Sequence, residues 1–231
     1  ICIDYSLLFY NKKKLICVLP AAIKKVNKKI VLHSHPGASY GGFIYKELSF
    51  ELAQQIILSF DKHCATNLIS SFIFIQTPWI YHKQYDSSIE YLFLLNHYKV
   101  YEFYISHYLA LSKNTKPLEY LQKRKQRYIK SRFLNNKDYT FCEGGCLGSF
   151  YDVLVKNKKK FHTTPTHSLK ELEVLMYSCN NNIKLFTTLY KKKLVGGVLL
   201  FFTTKDTCLI FYNAVLNSAS NKNVSLYQIY N

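Results

Sequence analysis

Apolar positions fall along this chain with two periods, and the period changes where turn residues cluster. Residues 5–10 and 15–19 are largely apolar runs on either side of Asn11 and three lysines, which predicts a β-hairpin. Residues 30–34 read as the next strand. From 49 to 64 the apolar set Leu52, Ala53, Ile56, Ile57 and Phe60 makes a helical stripe that Ser49 is placed to cap. Residues 68–76 are short and strongly apolar, a buried strand that Thr77 and Pro78 end. A helix is expected over 87–97 and an aromatic-rich strand over 100–111. Pro117 then opens a basic segment that runs to about Asn135 without a strong breaker, and predicts one long helix.

The second half continues with a strand at 138–142, a turn at Gly144 and Gly145, and a helix at 147–159. After a loop at 164–167, Ser168 starts a helix to about 178, with Glu171 in capping-box position. Three strands follow in meander order, at 185–190, 194–203 and 207–216. A helix begins at Val224 and is cut off where the chain ends. A weak repeat is visible: the lysine-rich run from Phe9 to Ile16 echoes the run from Leu189 to Val195, each in a hairpin followed by another strand and then a helix. The expected class is α/β (α+β), two related halves with mixed sheets flanked by helices. The boundaries that follow are a first half at 1–115, a basic connecting helix at 116–136 and a second half at 137–231.

At 231 residues, 48% of them hydrophobic, the chain can bury one large core or two smaller ones. Its formal net charge of +17 favours a phosphate-bearing partner: nucleic acid, an anionic membrane surface or a phosphorylated small molecule. Most of the lysines sit in short runs of the kind that decorate solvated turns. The three arginines differ, because Arg124, Arg127 and Arg132 fall close together. Arg124 and Arg127 share a helix face with Lys123 and Lys130, and a guanidinium grips phosphate or carboxylate at two points where lysine cannot. This helix is the candidate anion-binding surface. Binding of nucleic acid by charge alone is disfavoured, since the aromatics follow strand and helix periods and do not interleave with the basic run.

The seven cysteines are odd in number, scattered and mostly in apolar runs, as reduced core residues are. Cys142 and Cys146 form a Cys-x3-Cys, but His162 and His167 are the only further ligands nearby, so no metal site is expected. No signal peptide is visible and the longest apolar run, 194–202, is too short to span a bilayer, so a cytoplasmic location is expected. The chain opens with Ile1 and has its only Met at 176, and so reads as a fragment.

The most informative segment runs from His33 through Ser34, His35, Pro36, Gly37, Ala38, Ser39, Tyr40, Gly41 and Gly42 to Phe43. It holds three of the chain's eight glycines, beside imidazole and aromatic groups. Such a loop after a strand suits a binding site, or a plain strand-to-loop turn. His33 and His35, two apart on a strand, point to one face, but two ligands without a third make a poor metal site.

These residues resemble a family. The His33–Phe43 segment is similar to a Ser-His-Pro-Gly-Ala-Ser-Tyr-Gly-Gly segment of Fem-like acyltransferases, tandem GNAT-fold proteins that include peptidoglycan-bridge aminoacyltransferases. The run from Phe150 and Tyr151 to Pro165, Thr166, His167, Ser168 and Leu172 is similar to the second-domain pattern of that family. The Lys123–Arg127 run is similar to its basic joining helix, and residues 185–213 to its hairpin and following strand. The resemblance implies two GNAT-like halves, the second with most of the catalytic groove. It also implies N-acyl transfer to an amino group, of a cell-envelope sugar or peptide precursor.

Acyl transfer to an amine needs a deprotonated amine, a polarised carbonyl and alignment of the two, with no covalent intermediate. The expected catalytic residues are His167 and Tyr212. His33, Ser34, His35, Tyr40, Gly41, Gly42 and Thr166 are expected at the substrate, and Lys123, Arg124 and Arg127 at the anionic donor. One departure bears on the donor. Enzymes of this fold that use acetyl-CoA cradle its pyrophosphate with a glycine-rich turn, yet residues 217–223 hold no glycine. Acetyl-CoA, another acyl-CoA and aminoacyl-tRNA all stay open as co-substrate, with no bound cofactor expected. A non-catalytic module that grips a phosphorylated ligand or tRNA is the competing reading.

Overall fold

The computed structural model describes residues 3–34, 38–179, 181–217 and 223–231. The chain divides into two compact units, Ile1–His107 and Tyr108–Asn231.

The first unit carries strands β1 (Ile3–Asp4), β2 (Leu7–Asn11), β3 (Lys14–Leu19), β4 (Ala22–Val26), β5 (Lys29–His33), β6 (Ile44–Tyr45) and β7 (Ile69–Ile73). Its helices are α1 (Phe50–Thr66) and α2 (Ser88–Leu95). Two sheets form, in the orders β1-β4-β5-β7 and β2-β3-β6. All pairs are antiparallel except β5 with β7, whose crossover is α1. Ser49 caps α1 by accepting from the Leu52 amide, as its position predicts. The stripe Ala53, Ile56, Ile57 and Phe60 is buried. The core gathers Leu19, Leu32, Ile57, Phe60, Leu92 and Phe93.

The second unit carries α3 (Lys123–Ile129), β8 (Tyr139–Glu143), α4 (Leu147–Lys159), α5 (Leu169–Ser178), β9 (Ile183–Tyr190), β10 (Lys193–Phe202), β11 (Cys208–Val215) and α6 (Val224–Tyr230). One antiparallel sheet runs in the order β11-β10-β9-β8. Phe150, Val153 and Leu154 of α4 and Leu172 of α5 pack with Leu185, Leu199 and Tyr212 of the sheet. A separate cluster joins Ile129 and Phe133 to Tyr139, Val195, Val224 and Tyr227. The fold is mixed α/β, with sheets flanked by helices.

The echoing lysine runs are both two-residue hairpin turns. Asn11 pairs with Lys14 and Tyr190 with Lys193, and Lys12, Lys191 and Lys192 adopt positive φ of 55°, 50° and 64°. A third such turn, at Asn27 and Lys28, joins β4 to β5. The hydrophobic pattern missed β4 because only Ala22 of its five residues is buried.

Two expected elements differ. The single basic helix is broken: a 3₁₀ turn at Pro117–Tyr120 precedes α3, which passes into a π-helical turn at Lys130–Leu134. Leu121 and Gln122 are extended between them, and Leu118 and Leu121 pack against the cluster around Ile129 and Phe133. Burying these leucines outweighs continuing the helix. The strand expected over 100–111 joins no sheet, and every residue there is exposed.

Glu90 of α2 has a buried Oε2 with no hydrogen-bond partner among the described residues, and burial pushes its pKa up. A raised carboxyl pKa favours folding below the unfolded value, and that contribution is lost as pH rises through the folded pKa. Glu90→Gln is expected to leave the melting temperature near that of the parent at pH 4 and to raise it by a few degrees at pH 8. Melts at the two pH values test this, and an equal effect at both would refute it.

Candidate functional site

Capping geometry fixes the start of α5. Ser168 accepts from the Glu171 amide at 3.3 Å, and the Glu171 carboxylate accepts from the Ser168 amide at 2.7 Å. The Ser168 amide and hydroxyl, with His167 nearby, hold the Glu171 pKa below the usual carboxylate range. The residue before this cap is His167. Its Nδ1 lies 3.1 Å from the Tyr212 hydroxyl, and the Tyr151 hydroxyl donates to its backbone carbonyl at 3.2 Å. Three elements therefore meet at one residue: α4 through Tyr151 at the His167 carbonyl, the α5 cap, and β11 through Tyr212 at the imidazole.

A β-bulge lets β11 reach it. Leu199 pairs with Tyr212 and Leu200 with Ile210, which leaves Phe211 as the extra residue. Neighbours in a strand normally face opposite ways, but here Phe211 and Tyr212 both pack with the α4–α5 core. The His167 ring lies 5.3 Å from that of Phe211 and 6.3 Å from that of Tyr212, and Phe211 stacks on Phe201 at 4.0 Å. Tyr212 is 8% exposed, whereas His167 is half-buried and Thr166 exposed. With the proton on Nδ1, His167 donates to Tyr212 and presents a lone pair on Nε2, which can accept a proton from an amine.

The two expected catalytic residues are thus in contact. The partners missed in the sequence are Tyr151, which lay unweighed in the Phe-Tyr helix start, and Phe211. Two adjacent aromatics in a strand are the only trace of the bulge.

The glycine loop belongs to the first unit, and its residues are sewn to the strand-like stretch after β7. Ser34 is 1% exposed, donates its amide to the Ile73 carbonyl at 2.9 Å, and accepts from the Ile75 amide at 3.0 Å through Oγ. Its hydroxyl is turned into the fold and away from solvent. The Gly41 amide donates to the Ile75 carbonyl at 2.8 Å, and the Gly41 carbonyl accepts from the Thr77 hydroxyl at 3.1 Å. Gly42 is buried at a φ of +117°. Tyr40 stacks on Tyr81 at 5.0 Å, and burial, with Tyr81 beside it, pushes its pKa up to about 12. Burial and then Lys24 push the His33 pKa down, so its imidazole is neutral at pH 7. His35 lies outside the described residues.

On α3, Lys123, Arg124 and Arg127 are exposed, and none pairs with a carboxylate among the described residues. The Arg124 guanidinium sits 5.9 Å from the Tyr128 ring centre. An open groove of 380 Å³, lined by Phe50, Tyr85, Asp86 and Tyr91 among others, contains none of the expected site residues. Among the described residues no three His, Cys, Asp or Glu side chains could together hold a metal ion, and no helix is long and apolar enough to cross a membrane.

No protein-family model matches the chain, and no curated protein matches it in sequence. Solved structures do match. A crystal structure of FemX superposes over 99% of this chain and 74% of its own, with a TM-score of 0.64 and 11% sequence identity. The fold is therefore Fem-like, with GNAT-like architecture.

A methyl group at Gly41 would fall 2.5 Å from the Ser34 carbonyl oxygen, a backbone atom that cannot swing away. Gly41→Ala is expected to destabilise the protein by roughly 1–3 kcal/mol, read by urea denaturation. Unchanged stability would mean that the loop is not held against β5 as described.

Proposed function

We propose that the protein is a Fem-type transferase that moves an acyl group onto an amino group of a cell-envelope sugar or peptide precursor. The observation that carries this reading is the His167–Tyr212 pair, set at the α5 cap against a bulged β11 in a chain of Fem-like fold. In the proposed reaction the acceptor nitrogen attacks the donor carbonyl. A C–N bond forms and the C–S bond of a thioester, or the C–O bond of an aminoacyl ester, breaks. His167 Nε2 takes the proton from the amine and returns it to the leaving sulfur or oxygen. Tyr212 is nearly buried and acts through His167, by accepting from Nδ1 and holding that tautomer.

Acetyl-CoA, other acyl-CoA thioesters and aminoacyl-tRNA all carry phosphates, and the charge distribution supports a donor on the second unit. That unit has twenty lysines and arginines against seven carboxylates, while the first has eleven against seven. Lys123, Arg124 and Arg127 are assigned to the donor, and Thr166 to the acceptor. These donors put the proposed reaction in the cytoplasm.

His167→Ala is expected to lower kcat on the amine acceptor by about 10²–10⁴-fold in a protein whose circular dichroism is unchanged. Tyr212→Phe should lower kcat less, leave KM in place and shift the pH profile. Full turnover in His167→Ala would refute the assignment. Wild-type protein that turns over none of the three donors would leave the binding module standing.

Arg124→Ala combined with Arg127→Ala should weaken donor binding at least tenfold, measured by calorimetric titration at two salt concentrations. A tRNA donor would show a steep salt slope, because each neutralised phosphate releases counterions. Unchanged affinity in the double variant would remove α3 from the site.

A further inference from the structure

The stretch Val100–His107 has the sequence of a strand and none of a strand's partners. It reads Val-Tyr-Glu-Phe-Tyr-Ile-Ser-His, runs without helix, turn or bend, and every residue is exposed. Tyr101, Phe103, Tyr104 and Ile105 are 79–88% exposed. No backbone group in it makes a hydrogen bond among the described residues. A row of open amides and carbonyls among β-branched and aromatic side chains is a template for pairing with another strand. It also holds no lysine or arginine in a chain of +17, so the usual block to edge pairing is missing here.

We propose that Val100–His107 pairs antiparallel with the same segment of a second copy, forming a two-fold dimer through a two-stranded ladder. The sequence is complementary to itself in the register centred on Tyr104. Phe103 then faces Ile105, Tyr101 faces His107, and the lone carboxylate, Glu102, faces Ser106. On either side of the centre the ladder thus sets Phe103 against the β-branched Ile105, a favourable cross-strand pair, and no like charges are opposed. Because the axis passes through Tyr104, one patch serves both copies and the assembly closes at two. Three aromatics of about 150–250 Å² each from either copy bring roughly 1,000 Å² into reach, near the lower limit of a specific interface. The dimer is accordingly a reversible one.

Sedimentation equilibrium of the whole protein across 1–100 µM tests this. The wild type is expected to pass from monomer mass to twice that mass. In the proposed ladder Phe103 and Ile105 are a hydrogen-bonded pair, so Ile105→Pro removes that amide and should hold the protein at monomer mass throughout. Ile105→Val keeps that amide and should dimerise as the wild type does. Hydrogen exchange should show the 100–107 amides protected at high concentration and open at low. A wild type that stays monomeric would overturn the proposal. So would a dimer that survives Ile105→Pro, protection of 100–107 that does not vary with concentration, or aggregates larger than two.

Discussion

Strands present alternate side chains to opposite faces, and the second unit depends on one breach of that rule. With regular pairing through β11, Phe211 and Tyr212 would lie on opposite sides of the sheet. The extra residue turns both toward α4 and α5, so that one ring walls the imidazole while the neighbouring hydroxyl bonds it. A bulge gives up local ladder pairing and strengthens twist. The Phe201–Phe211 stack and the burial of Tyr212 offset that loss. The geometry of the site is thus set by strand register, and the His167–Tyr212 contact follows from it.

Register alone would leave His167 free to rotate on its loop. Two contacts on α4 prevent this at some distance from each other. Near its start Tyr151 grips the His167 carbonyl. Near its end the Asn157 side-chain amide donates to the Val215 carbonyl at 2.9 Å, and Lys160 donates to the same oxygen at 3.3 Å. One helix therefore ties the histidine loop to the last residue of the strand that carries Tyr212. The Ser168–Glu171 box adds a third restraint by fixing the residue that follows His167. His167 is held by its backbone on one side and by its ring on the other.

Much of this was legible from local signals. Ser49 and Ser168 announced their helices, the buried stripe of α1 was readable residue by residue, and the three strands of the second sheet stood out as apolar runs. His167 and Tyr212 were singled out separately, each by resemblance, and their contact was not. It spans 45 positions and depends on the bulge, which leaves no periodic trace. The same limit explains Ser34. A serine beside glycines looks available to a ligand, but its partners, Ile73 and Ile75, come from the end of β7 and the stretch after it, some forty residues away. The broken basic helix failed for another reason. Propensity is a local sum, and it was overridden when Leu118 and Leu121 found a tertiary cluster.

The lysines have two distinct tasks, and separating them changes the meaning of the net charge. Lys12 to Lys14 and Lys191 to Lys193 crown hairpin tips, and Lys24 and Lys25 lie on β4 beyond the point where β1 stops pairing with it. There a charge guards an open edge against pairing with another chain, a role that needs no ligand. The arginines of α3 guard no edge, since they sit on a helix. Val100–His107 completes the contrast: it is the long exposed apolar run without a lysine inside it. Where lysine protects, the chain keeps other strands away, and where it is withheld the backbone remains open to a partner.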